Sequence, residues 1–166
     1  MINLSDITIC KAIIEDAKTL TDISFAAKRH WNYPENYYDL WKDELTITNE
    51  YIHQHIVYKA QLADLTIGFY SIVEIKSDFY AGDIFVKKGF WMEHIFIRPE
   101  YHKFGIGSLL IDHARKTSKS MEIHSLLIFV DPYAKGFYEK IGANFLYESK
   151  SSIPNRLIPV YELEIC

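Results

Sequence analysis

The sequence predicts a mixed α/β (mixed α+β) fold: a central mixed twisted sheet of about seven strands with helices on both faces. Its apolar residues switch between period two and helical spacing in the order β-α-α-β-β-β-α-β-α-β-β, which combines hairpins with one β-α-β crossover. Ser125-Leu126-Leu127-Ile128-Phe129-Val130 is apolar without alternation, the pattern of a strand covered on both faces and parallel to a neighbour. Prolines and glycines punctuate the segment ends.

Ile7 to Lys11 alternates and reads as the first strand, and Glu15 to His30 sets Ala17, Leu20, Ile23, Ser24 and Ala27 at helical spacing. Pro34 breaks that helix. Glu35 to Thr48 reads as a second, whose exposed side carries Glu35, Asp39, Asp43 and Glu44. Tyr51 to Gln61 and Leu65 to Ile75 are rich in β-branched and aromatic residues and form a hairpin across Ala63-Asp64. Ser77 to Lys88 fits either a loop or a longer hairpin. Phe90 to Ile97 is a strand stopped by Arg98-Pro99, since proline cannot donate to a ladder. Gly105-Ile106-Gly107 opens a helix to about Lys119, with Ile106, Leu109, Leu110, His113 and Ala114 on one face. After the apolar strand, Asp131-Pro132 caps a short helix over Tyr133 to Ile141 that Gly142 ends. Asn144 to Glu148 and Arg156 to Glu164 complete the strands.

The 166 residues correspond to one domain, residues 1–166, against roughly 150 for a common domain. With 49% hydrophobic and 24% charged residues, the chain can bury a core, which argues against disorder. Lys+Arg 18 against Asp+Glu 22 leaves −4, so no positive field awaits a polyphosphate and nucleic acid is not an expected partner. Cys10 and Cys166 stand at opposite ends and suit neither a disulfide framework nor a metal cluster. Met1 to Asp6 lacks a basic region before an apolar stretch, and no run nears the roughly 18 apolar residues of a span. The expectation is a cytoplasmic protein without a membrane partner. His53 and His55 would share a strand face, but no third ligand accompanies them, so no metal is expected.

The turn from Pro99 to Ser108 leads from strand to helix. Its glycines permit positive φ, and the first N–H groups of the helix lack internal partners, so the turn can hold a pyrophosphate. It is not a P-loop, because Gly107 is followed by Ser108-Leu109, nor a dinucleotide fingerprint, because Leu110 stands where a third glycine would. A second motif runs from Asp131 to Ala143: Asp-Pro-Tyr-Ala-Lys-Gly-Phe-Tyr-Glu-Lys-Ile-Gly-Ala. Together with Phe90 to Tyr101 and the glycine turn, it resembles the GNAT superfamily of acyl-CoA-dependent N-acetyltransferases, with specific motifs over about Trp91 to Phe145.

The resemblance implies a GNAT-like fold and acetyl-CoA as cofactor, with CoA as product. It implies that the strand with Ile95, Phe96 and Ile97 splays from its neighbour and holds the pantetheine arm through its backbone. The pyrophosphate would sit on His102, Lys103, Phe104, Gly105, Ile106, Gly107 and Ser108, with Asp131 and Ala134 lining the groove and Tyr138 facing the sulfur. His102 stands where Arg or Gln is usual and Asp131 where Asn is usual.

For the chemistry, Glu93 is the expected general base, placed by alternation beside Trp91 and Ile95, where an apolar setting would raise its pKa. Tyr138, protonated near neutrality, is the expected general acid. His94, on the other face, is the second candidate for the base, against a reading as a packed core residue. The aromatic joint between the first two helices, with Trp31, Tyr33 and Tyr37, joins Trp91 and Glu93 as expected acceptor-binding residues. With the acidic helix face, it suggests a small cationic amine. The expected reaction is direct transfer of acetyl in a ternary complex to a primary amine of a small molecule, with a homodimer as a candidate assembly. Alternatives are a non-catalytic acyl-CoA-binding sensor and a protein or peptide N-acetyltransferase.

Overall fold

The computed structural model describes residues 2–165, so Cys166 and Met1 lie outside the described residues. In chain order come β1 (Ile7–Lys11), α1 (Ala17–Arg29), α2 (Glu35–Leu45), α3 (Asn49–Gln54), β2 (Ile56–Leu62), β3 (Leu65–Ile75), β4 (Phe79–Ala81), β5 (Ile84–Val86), β6 (Gly89–Ile97), α4 (Ile106–Ser120), β7 (Ser125–Phe129), α5 (Lys135–Lys140), β8 (Asn144–Lys150) and β9 (Leu157–Glu164). Seven strands form a mixed sheet in the order β1-β2-β3-β6-β7-β9-β8, and β4 pairs with β5 in a separate hairpin. The expected mixed α/β architecture is therefore present. The parallel step sets Trp91 of β6 opposite Leu127 of β7, as the non-alternating run of β7 requires, and Leu126, Leu127 and Ile128 are all buried.

The chain divides into two compact units, one of residues up to Ile72 with His94–Ala114, the other of Val73–Glu93 with the residues from Arg115 onward. The first has a core of Leu20 and Ile23 from α1, Ile52 from α3, and Val57 and Phe69 from β2 and β3. Lys59 of β2 donates to Asp16 at 2.9 Å, and Asp16 also accepts the Ile13 N–H, which ties the turn before α1 to the sheet. In the second, Trp91, Leu127 and Val160 are buried together, with Phe129 and Tyr147 packed against them.

Two expected boundaries are corrected. The helix expected to run to Thr48 ends at Leu45, where Thr46 turns extended, and the strand expected from Tyr51 starts at Ile56. Between them lies α3. The Thr48 hydroxyl accepts the Tyr51 N–H at 3.0 Å, an N-cap that starts a helix within an otherwise strand-like composition. His53 is consequently helical and His55 caps the helix, so they share no strand face. The segment left between loop and hairpin is the β4–β5 hairpin, turning at Gly82 with φ of +62°.

Replacing Thr48 by Ala should lower the unfolding free energy by about 1 kcal/mol, whereas Thr48→Ser should change it little, read from urea titrations at constant slope.

Candidate functional site

The site begins where β6 ends. Ile95, Phe96 and Ile97 are half-buried, and Arg98 then ties the strand end to β3: its N–H donates to the Ile67 carbonyl at 2.8 Å and its Nε to the Thr66 carbonyl at 2.7 Å. Pro99–Tyr101 makes one 3-10 turn, and His102 follows. Its Nε2 lies 3.1 Å from the Ile97 carbonyl oxygen. A carbonyl only accepts, so Nε2 carries the proton and Nδ1 is the nitrogen that titrates. The imidazole pKa is lowered from 6.5, first by burial; the Ile97 bond raises it, the charge of His30 lowers it and Glu100 raises it. His30, at the end of α1, meets the ring of His102 edge-on at 4.8 Å. Because folding lowers this pKa, the contribution to stability is complete above 6.5 and is lost as pH falls through the lower folded value.

Beyond His102 the backbone enters the left-handed region at Lys103 (φ 67°) and Gly105 (φ 85°). Lys103, Phe104 and Gly105 are exposed. The first bond of α4 runs from the Leu109 N–H to the Gly105 carbonyl at 3.1 Å, so the N–H groups of Ile106, Gly107 and Ser108 precede the helix's own ladder. Burial of Ile106, Leu110, Ile111 and Ala114 fixes the helix, and the Tyr70 hydroxyl meets His113 Nδ1 at 2.8 Å. N–H donors left outside the ladder at the start of a helix, with the positive end of the helix dipole behind them, are of the kind that can hold a diphosphate.

In the second unit, Asp131 accepts the Tyr133 N–H at 3.0 Å and so starts the turn that leads into α5. Either a carboxylate or an amide oxygen can fill this capping role, so Asp131 keeps the turn that an Asn would start. Ala134 is half-buried and Tyr138 is buried, 7% exposed. Burial pushes the Tyr138 phenol well above its ordinary 10, and the negative charge of Asp131 adds to that shift. The helix ends through the Ala143 N–H bonded to the Tyr138 carbonyl, with Gly142 at φ +94°.

Glu93 departs from its expected surroundings. Trp91 turns inward, stacked on Phe129 with ring centroids 4.5 Å apart, whereas Glu93 is exposed rather than enclosed by apolar side chains. Strand alternation assigns the two to one face, but it cannot tell where along β6 side chains emerge to solvent. His94 is buried near Tyr51, Phe69 and Phe96, as the packed reading expected.

The aromatic joint forms, but its faces are occupied by the chain's own cations. Tyr33 and Tyr37 stack at 5.8 Å and both meet Trp41 edge-on, while Lys28 Nζ sits 4.5 Å over Trp41 and 5.7 Å over Tyr33. Arg29 lies 4.3 Å over Tyr38 and pairs with Glu35. Trp31 turns its ring to His30. Asp39, Asp43 and Glu44 are exposed. The two supports for a cationic acceptor at this corner are thus partly used within the fold. Among the described residues, no group of three His, Cys, Asp or Glu side chains suits a metal ion, and no helix is long and apolar enough to cross a membrane.

The comparisons with known proteins bear on this geometry. Curated protein sequences give no match. Among solved structures, a GCN5-related N-acetyltransferase from Rhodopseudomonas palustris is similar with a TM-score of 0.74 and 17% identity, over 95% of this chain and 94% of that one. The PaiA N-acetyltransferase from Thermoplasma acidophilum, in complex with coenzyme A, gives 0.73 and 21%, over 95% and 98%. The ribosomal-protein-S18-alanine N-acetyltransferase from Escherichia coli gives 0.63 and 15%, over 96% and 94%. At these identities the likeness is one of fold. Residues 52–142, more than half of the chain, match the family model described as the acetyltransferase (GNAT) domain. That span takes in the end of β6, the donor-lined turn before α4 and the Asp131-to-Gly142 motif, and the chain therefore belongs to the GNAT family of acetyltransferases.

Proposed function

We propose that the chain moves an acetyl group from acetyl-CoA to the primary amine of a small molecule, by direct transfer in a ternary complex. The observation that carries this reading is the run of N–H donors at the start of α4, entered through left-handed Lys103 and Gly105, in a chain of this family. Acetyl-CoA supplies the activated thioester. The backbone of Lys103, Phe104, Gly105, Ile106, Gly107 and Ser108 holds the diphosphate, and that of Ile95, Phe96 and Ile97 binds the pantetheine arm. Asp131 and Ala134 line the groove. Tyr138 donates a hydrogen bond to the departing sulfur.

Glu93 takes the amine proton, directly or through water; its exposure suits exchange of that proton with solvent. Trp31, Tyr33, Tyr37 and Glu93 border the acceptor, while Trp91, buried against Phe129, supports the strand from behind rather than meeting the acceptor. We place the reaction in the cytoplasm, with a homodimer as a candidate assembly and residues 1–166 acting as one acetyltransferase domain.

Calorimetry with acetyl-CoA and a panel of amines, including peptide N-termini, tests the reading. Heat of binding and multiple turnover on a small amine are expected. Binding without turnover would favour the sensor, preference for peptides would favour a protein acetyltransferase, and no binding would end the acetyltransferase reading. In the same assay Tyr138→Phe should lower kcat about a hundredfold while CoA affinity holds; an unchanged kcat removes the role. The pyrophosphate charge should raise the pKa of His102, so CoA binding takes up a proton there. As pH falls from about 7.5 to about 5.5, affinity should gain more in wild type than in His102→Gln, a difference that cancels the ligand's own titration.

A further inference from the structure

Gly68 lies buried in β3, and its neighbours in the sheet explain why. A Cβ there would fall 2.8 Å from the Phe96 carbonyl oxygen, 3.2 Å from Ile97 Cγ1 and 3.4 Å from Ile97 Cα. The nearest of these atoms is backbone, which cannot swing aside as the end of a long side chain does. The demand on Gly68 is therefore one of close approach rather than of dihedral freedom. A separate irregularity sits beside it. The β2–β3 register pairs Ala60 with Gly68 and Gln61 with Thr66, so Ile67 is an extra residue in β3, a bulge. The Ile67 carbonyl accepts the Arg98 N–H, and the Thr66 carbonyl accepts Arg98 Nε. Three successive β3 residues thus fix the last two residues of β6 and the one after them: Gly68 sets how near Phe96 and Ile97 come, and the Thr66 and Ile67 carbonyls hold Arg98.

We infer that Gly68 is a positioning residue for acetyl-CoA binding, acting with Arg98 through the Phe96–Ile97 peptide. This rests on the function proposed above, in which that stretch of β6 binds the pantetheine arm. A Cβ at residue 68 would push the Phe96 carbonyl outward by several tenths of an ångström and so misplace the backbone groups that meet the ligand. The tight contact is with main chain, so the cost falls on ligand placement as well as on stability.

The test compares wild type, Gly68→Ala, Arg98→Met and Gly136→Ala by calorimetry with CoA and by steady-state kinetics. Gly136, on α5, has nothing within 4 Å of an added Cβ and serves as the control. Gly68→Ala should weaken CoA binding and raise KM for acetyl-CoA about tenfold with kcat changed less than about twofold, a split that general destabilisation of a folded enzyme does not produce. Arg98→Met should weaken binding about threefold, and it carries the test alone if Gly68→Ala does not fold. Wild-type affinity in a folded Gly68→Ala, or in Arg98→Met where only that variant folds, overturns the positioning role while leaving the acetyltransferase reading intact. An absence of CoA binding in wild type overturns both.

Discussion

An α-helix leaves its first N–H groups without partners in its own ladder, and in this chain those of Ile106, Gly107 and Ser108 meet a loop held left-handed at Lys103 and Gly105. The loop cannot relax into another helical turn to satisfy them, because the positive φ at Gly105 stops the helix from extending backwards. Nor can the helix slide. Ile106, Leu110, Ile111 and Ala114 are buried along one side, and the Tyr70–His113 contact fixes rotation about the helix axis. The donors are therefore presented by packing rather than by any charged side chain. Donors presented in this way need no net positive charge to suit an anion, so the formal charge of −4 is no obstacle to the diphosphate site proposed above.

The approach to those donors is built from contacts to main-chain carbonyls. At the bulge around Ile67 two β3 carbonyls accept from Arg98, and the carbonyl of Ile97, the last residue of β6, accepts from His102. The bulge in β3 and the start of the loop are thus joined through Arg98 and His102. His102 enters it as a neutral donor at ordinary pH. An arginine at the same place would stay charged whatever its surroundings, whereas the imidazole gives up its charge to remain partly buried.

What the sequence made legible follows from the range of the physics involved. Local signals carried well: the Asp131-Pro132 cap, the Gly142 stop, the unbroken apolar run of β7 and the strand-to-helix turn at Gly105 all depend on residues within one or two turns. Helix α3 was lost because its six residues, Asn-Glu-Tyr-Ile-His-Gln, are too few to show a period, and the Thr48 hydroxyl alone starts it. The aromatic corner was legible as a cluster but not as an occupied one. Lys28 and Arg29 precede Trp41 by a whole turn of chain direction, and only the folded pair of helices lays their cations over the rings. Gly68 and Arg98 gave no signal either, since their partners are backbone atoms about thirty residues away in sequence, which side-chain pattern does not report.

The environment of Tyr138 constrains the proton inventory of any transfer it assists. A phenol starts near 10 and a thiol near 8.5, so handing the proton outright to a thiolate would already cost roughly 2 kcal/mol in water. Burial and the charge of Asp131 raise the phenol further, which makes a tyrosinate there more costly still. The same shift keeps the hydroxyl protonated over the whole working range of pH, so it can always donate. Tyr138 is thus suited to hold a developing thiolate through a hydrogen bond that strengthens as charge accumulates on sulfur. In the proposed transfer the proton that the thiol finally gains would then come from solvent, and Glu93, directly or through water, would take the one released by the amine. A residue that stabilises without exchanging its proton needs no route for reprotonation, and a tyrosine buried on α5 has little access to one.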